Sequence, residues 1–182
     1  MTQSLGDAIR ERRERRGESL KQLAQATGLT QSFLSQVEND RSSPSVASLR
    51  KIAEALGTSI GTFFVGGSPN GRLVTKNARA TLIHPKFRWR DSLLSPSLSG
   101  KLQVIWTEIE PGGGSGDEAY RHDSDEECLV VVRGKLDVWV GSEHYSMKAG
   151  DALTFESRIP HKNRNPGPGR TEVLWVMTPP SY

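Results

Sequence analysis

The sequence lacks several things, and each absence narrows the field. It holds a single cysteine, Cys128, so no internal disulfide can form, which fits a reducing, cytoplasmic setting. No apolar run approaches the roughly 18 residues of a membrane span, so no segment is expected to cross a bilayer. The amino terminus, MTQSLGDAIRERR, has no apolar core after a basic start, so no secretion signal is visible. Charge of one sign is also scarce. The chain of 182 residues carries a net charge of only +3, which permits nucleic-acid binding without establishing it. The first third has no tryptophan and no histidine. Trp89, Trp106, Trp139, Trp175, His84, His122, His144 and His161 all lie beyond residue 66.

That asymmetry marks a change of architecture. Before residue 66 apolar residues recur at helical spacing. After it, short runs of Val, Ile, Leu and Trp are separated by Gly, Pro and Asn. The turn-rich stretch GGSPNGR, Gly66 to Arg72, reads as a linker. The expected organisation is a helical domain over 1–65, a linker over 66–72 and an all-β domain over 73–182.

Leu5, Ala8 and Ile9 give the first helix its apolar stripe, and Gly17 ends it. Ser19 opens a second helix with Gln22 as capping-box partner, and Gly28 stops it. Thr30 caps a third, TQSFLSQVEND. At about 100° per residue, Gln31, Ser32, Ser35, Gln36 and Glu38 share a polar arc, while Phe33, Leu34 and Val37 share the other. Ser45 caps a fourth helix with Val46, Leu49, Ile52, Ala53 and Leu56 inward and Gly57 as its stop. Ser59 to Phe64 makes a short fifth. A solvated helix face usually carries Lys and Glu, but the third helix presents Gln, Ser, Ser and Gln. Such short neutral hydrogen-bonders suit base edges, because glutamine can pair with adenine N6 and N7 in the major groove. The arginine run Arg12, Arg13, Arg15, Arg16 is interleaved with Glu11, Glu14 and Glu18, which is the pattern of a solvated face. Nine basic residues against seven acidic leave residues 1–65 at net +2, so specificity should need two copies.

The segment SLKQLAQATGLTQSFLSQVENDRSSPSVASLRKIAEALGTS resembles the phage-repressor-like (XRE-type) helix-turn-helix family over nearly all of residues 5–64. The resemblance implies a five-helix domain whose third helix enters the groove. It places Gln31, Ser32, Ser35 and Gln36 toward base edges, with Thr30 at the start of that helix. It places Ser19, Asn39 and Arg41 at phosphates, and it makes Arg13 and Glu38 a structural ion pair.

In the second half, strands are expected at Leu73–Lys76, Thr81–His84, Lys101–Glu108, Glu127–Arg133, Leu136–Val140, Ser142–Met147, Ala152–Phe155 and Glu172–Val176. This many short strands argues for a sandwich or barrel. Alternation points Tyr120 and His122 to one face, and Glu127, Leu129 and Val131 inward with Cys128 away. The acids Asp123, Asp125 and Glu126 read as a solvated turn, PGGGSG as a flexible turn, and His84 and His144 as ordinary surface or strand residues.

Gly114 with Tyr120, His122, Glu127 and Gly134, followed by Gly150-Asp151, Pro160-His161 and Asn165, resembles the two motifs of the cupin superfamily over roughly residues 100–177. The resemblance implies a double-stranded β-helix (jelly-roll) barrel. It makes His122, Glu127 and His161 the ligands of a divalent metal (Zn, Fe, Mn or Ni), with Tyr120 where metal-binding cupins have a further histidine. The alternative is a metal-free pocket in which Tyr120, His122, Glu127 and His161 hydrogen-bond an organic effector.

Together these readings give a cytoplasmic, homodimeric transcriptional regulator, not an enzyme. One domain binds a double-stranded DNA operator and the other senses a small polar metabolite. Two rivals stand: a metal-dependent cupin dioxygenase or isomerase with a DNA-binding head, and a DNA-binding dimer whose cupin only dimerises.

Overall fold

Residues 4–63, 72–96 and 100–181 are described by the structure, a computed structural model. The expected linker therefore lies outside the described residues except for Arg72, as does Phe64 at the end of the expected fifth helix.

Four helices fold where the caps and stops predict. They are α1 (Leu5–Arg15), α2 (Leu20–Thr27), α3 (Gln31–Glu38) and α4 (Val46–Ala55). Ser4, Ser19, Thr30 and Ser45 each accept a hydrogen bond from the backbone N–H three residues on, satisfying a donor the helix leaves open. Ser19 and Gln22 close a full capping box, and Gly28 ends α2 at φ 69°, a conformation glycine adopts without strain. The expected fifth helix is a single 3₁₀ turn, Ile60–Phe63. Only Ile60 and Phe63 of that turn are buried, so it has anchors for one turn and no stripe for a longer helix. The core joins Ile9, Leu23, Leu34, Val37, Leu49 and Ile52, all at most 1% exposed. Arg13 supports it. Its guanidinium meets both Glu38 carboxylate oxygens, at 2.7 and 2.9 Å, and donates to the Glu18 carbonyl at 2.7 Å. Glu38 is 3% exposed, so it belongs to this buried pair and not to the polar arc of α3.

The second half is antiparallel throughout. Strands β1 (Thr81–His84), β2 (Trp89–Leu93), β3 (Gln103–Ile109), β4 (Glu126–Arg133), β5 (Lys135–Val140), β6 (Glu143–Lys148), β7 (Ala152–Glu156), β8 (His161–Arg164) and β9 (Thr171–Thr178) form two sheets. The larger has order β1-β2-β3-β9-β4-β7 and the smaller β6-β5-β8. Isolated bridges Gly114–Arg164 and Tyr120–His161 stitch the β3–β4 connection to β8. Alternating burial in β3 and β9 sends Ile105, Ile109, Val173 and Trp175 to a shared interior with Leu136 and Val138 of the small sheet.

Three expectations fail here, each for a local reason. Leu73–Lys76 is not a strand. Leu73 is 78% exposed and has no face to bury, and the chain turns instead through a 3₁₀ segment, Lys76–Ala78. Strand β2 was missed because its inward residues include Asp91, buried between Trp89 and Leu93. Strand β8, HKNR, was missed because its buried positions are His161 and Asn163. Both hide polar groups where periodicity looks for apolar ones. Nor is PGGGSG a loose turn, for a Cβ on Gly114 would lie 2.2 Å from the Asn163 carbonyl oxygen.

Candidate functional site

Two surfaces carry the residues the sequence singles out. On α3, Gln31, Ser32 and Gln36 are exposed and Ser35 is half-buried, so the neutral arc faces outward as one strip. Leu34 and Val37 pin its back to the core. The flanking residues are more committed. The Asn39 amide donates to the Ser35 carbonyl at 2.7 Å and accepts from Arg10 at 2.8 Å. The Ser19 hydroxyl is engaged with Gln22. Arg41 is exposed and makes no ion pair among the described residues.

The second surface lies in the β half, between its two sheets. His122 and Tyr120 come from the β3–β4 connection, Glu127 from β4 and His161 from β8. All four are buried, and Glu127 is fully enclosed. The ligating atoms of His122, Glu127 and His161 lie within 4.8 Å of one another. The His161 Nδ1 sits 2.8 Å from the Ile159 carbonyl, which can only accept, so Nδ1 carries the proton and Nε2 turns its lone pair inward. That lone pair lies 3.1 Å from a Glu127 carboxylate oxygen. Neither oxygen of Glu127 nor the His161 Nε2 has a hydrogen-bond partner of proper geometry. Buried acceptors so close together call for a proton or a cation between them. The residues therefore fit a divalent ion.

The same burial sets the charges. Desolvation pushes Glu127 up to about 8 and His161 down to about 4. His122 is held well below its ordinary range by burial, then by His161 and Arg50. Tyr120 is raised by burial, then by Glu127 and Asp91, so it stays a neutral phenol. It forms one wall, edge-on to His161 with ring centroids 4.4 Å apart. The cavity beside it, lined by Trp89, Thr107, Tyr120, His122, Trp175 and Met177 among others, offers only about 10 Å³. That is room for about one water or a bare ion, so a larger occupant requires the walls to move. Asp91, 1% exposed and 2.5 Å from the Thr107 hydroxyl, is an acid near the cavity that sequence reading did not single out.

The two surfaces are joined. The connection that carries Tyr120 and His122 lies along α4. Val46 N–H meets the Ser115 carbonyl at 3.4 Å, and Lys51 meets Glu118 at 2.7 Å. Arg50 bonds Glu54 at 2.6 Å and Asp123 at 3.0 Å, and Asp123 directly follows His122. Beside this clasp His84 is not an ordinary surface residue. It is 0% exposed, stacks on Trp89 with centroids 4.5 Å apart, and has neither ring nitrogen in hydrogen-bond geometry. No motif or spacing flagged it.

The chain matches two families, "Helix-turn-helix" over residues 9–63 and "Cupin domain" over residues 105–177. The HTH-type transcriptional regulator SutR of Escherichia coli (strain K12) is 30% identical over 165 residues, covering 90% of this chain and 88% of that protein. A crystal structure of an HTH_3 family transcriptional regulator from Vibrio cholerae is similar with a TM-score of 0.65 at 21% identity, covering 97% of this chain and 95% of that one. A crystal structure titled FeII HppE is similar with a TM-score of 0.50 at 18% identity, covering 96% and 98%. These last two likenesses show a shared fold.

Proposed function

The chain belongs to the family of helix-turn-helix transcriptional regulators that carry a cupin domain, and from that premise we propose that it binds a double-stranded operator as a homodimer and changes its grip when a small polar metabolite enters the barrel. It does so in the cytoplasm. Gln31, Ser32, Ser35 and Gln36 read base edges, while Arg41, with Ser19, Thr30 and Asn39 at the flanks, sets the register on phosphates. Two heads of low net charge gain specificity by meeting two half-sites, about 34 Å apart centre to centre.

One observation carries the coupling. Arg50 of α4 is bonded to Asp123, the neighbour of His122, so the connection that supplies the pocket rests directly on the helical domain. Asp123 is 83% exposed, and Glu118, which pairs with Lys51, is 52% exposed. Exposed pairs of this kind stabilise by about 0–1 kcal/mol each. A clasp that weak suits a switch, because the differential affinity of a small ligand can overturn it.

His122, Glu127 and His161 would hold a divalent ion of the Zn, Fe, Mn or Ni class, and Tyr120, kept neutral, serves as a wall and hydrogen-bond donor. Such an ion supplies an anchor for an oxygen or nitrogen donor of the metabolite. We read the pocket as a sensor and not a catalytic centre, since its loop is fastened to the DNA-binding head.

The test is a gel shift on operator fragments. Gln31→Ala and Gln36→Ala should each weaken binding about 5- to 150-fold, the equivalent of roughly 1–3 kcal/mol per lost base contact. Arg50→Ala should keep operator binding but blunt the response to the metabolite. Full operator affinity in both glutamine variants refutes the reading of α3.

A further inference from the structure

Most cations of the helical half are already engaged within the protein. Arg13 holds Glu38, Arg15 holds Glu11, Arg16 holds Glu18, Arg50 holds Glu54 and Asp123, and Lys51 holds Glu118. Arg12 donates to the Thr58 hydroxyl at 2.9 Å. Three basic residues of this half remain: Lys21, Arg41 and Arg10. Lys21 and Arg41 are exposed and make no ion pair among the described residues. Arg10 differs from both. It stands on α1, outside the two helices α2 and α3 of the helix-turn-helix, and no motif flagged it.

The Arg10 side chain reaches the carboxyl end of α3. Its Nη2 donates to the Glu38 carbonyl at 2.6 Å and to the Asn39 carboxamide oxygen at 2.8 Å. Its Nε lies 3.6 Å from a Glu38 carboxylate oxygen, but Arg13 already bonds both oxygens of that carboxylate. Nη1 makes no hydrogen bond among the described residues, and the side chain is 36% exposed. Asn39 is fixed by the same contact. Its oxygen faces the guanidinium, so its nitrogen faces the Ser35 carbonyl, to which it donates at 2.7 Å. One N–H of that amide is left over. Asn39 is exposed at the end of the neutral strip, two residues before Arg41. A helix carries about half a negative charge at its carboxyl end, which repels an anion. Arg10 covers the Glu38 carbonyl and sets a full positive charge there.

We propose that Arg10 and Asn39 together hold one backbone phosphate of the operator, Arg10 through its free Nη1 and Asn39 through its remaining N–H. Arg10 supplies the charge and the orientation, and Asn39 supplies a directed neutral donor. A guanidinium suits the task, because its rigid fork can grip Asn39 and Glu38 with one nitrogen while presenting the other. The contact presupposes the operator binding proposed above and brings α1 into it.

The test uses the full chain and a fluorescein-labelled duplex that the wild type selects from a random pool. Binding is followed by anisotropy from about 50 to about 200 mM salt, where each neutralised phosphate contributes about −0.9 to the slope of log K against log salt. Arg10→Gln should weaken binding at least tenfold and flatten the slope by about 0.9 per bound copy. Arg10→Lys should keep the slope yet lose affinity, since an ammonium cannot orient Asn39 and face a phosphate at once. Asn39→Ala should lose affinity at an unchanged slope, and should cost little more once Arg10 is Gln. Arg10→Gln that loses affinity at the wild-type slope only braces α3, and that result overturns the phosphate site, as does full affinity. If circular dichroism shows Arg10→Gln unfolded, Arg10→Lys decides, and undiminished affinity there overturns the site. A wild type that selects no duplex overturns the operator reading itself.

Discussion

Acid should loosen this protein through His84, and by a calculable amount. The ring is wholly enclosed at the seam between the two halves, stacked on Trp89. Burial pushes its pKa from 6.5 down to about 3, and the Pro44 backbone offsets this only in part. The folded state therefore holds His84 neutral, while the unfolded chain protonates it below about 6.5. A depressed histidine contributes fully above the unfolded value, and that contribution falls away as the pH drops toward the folded one. The slope approaches about 1.4 kcal/mol per pH unit below 6.5, so lowering the pH from 6.5 to 4.5 costs about 2.3 kcal/mol through this residue. His122 and His161 act in the same direction. Glu127, raised to about 8, acts in the opposite one, since its contribution is lost as the pH rises from about 4.5 to 8. A single curve mixes all four. The comparison that isolates His84 is wild type against His84→Phe, which keeps a ring on Trp89 without a titrating group. In urea unfolding followed by tryptophan fluorescence at pH 7.0, 5.5 and 4.5, the wild type should lose stability relative to His84→Phe as the pH falls, by about one proton's worth per unit. Parallel curves would refute the claim that His84 is buried neutral.

Other outcomes follow from the same geometry. Glu38→Ala leaves the Arg13 guanidinium, only 11% exposed, without its partner. The helical half should lose about 3–5 kcal/mol in urea unfolding, and a loss below about 1 kcal/mol would show the pair to be ornamental. Gly114→Ala forces a Cβ against the Asn163 carbonyl and should destabilise by more than about 4 kcal/mol; a variant that melts with the wild type would contradict the close approach. Glu127→Gln should weaken divalent-metal binding in calorimetry by more than the roughly 10–100-fold of an outer-shell change. Unaltered affinity would remove Glu127 from the ligand set.

The helical half was legible because its punctuation is local. Ser19, Thr30, Ser45, Gly28 and Gly57 each act within three residues of themselves, so chain order alone locates the helix ends. The neutral, outward strip on α3 followed from the same periodicity. In the β half, the strands with alternating apolar residues could be read, but β2 and β8 could not. Their inward positions, Asp91, His161 and Asn163, are polar because the interior there holds a site instead of a plain core. His122, Glu127 and His161 were found through motif spacing, yet nothing local reports that they meet within 4.8 Å. Asp91 and His84 gave no signal at all, since their burial is made by elements distant in the chain.

The connection from Ser115 to Asp123 belongs to the β domain by sequence and to the helical domain by contact, resting on α4 while it supplies Tyr120 and His122 to the pocket. The natural place to cut this molecule is therefore not the glycine-rich stretch after Phe63. A chimera that grafts a foreign helix-turn-helix domain at that stretch inherits a β domain whose 115–123 connection has lost its footing. It should recognise its new operator yet ignore the metabolite, until residues facing 115–123 are transplanted along with the graft.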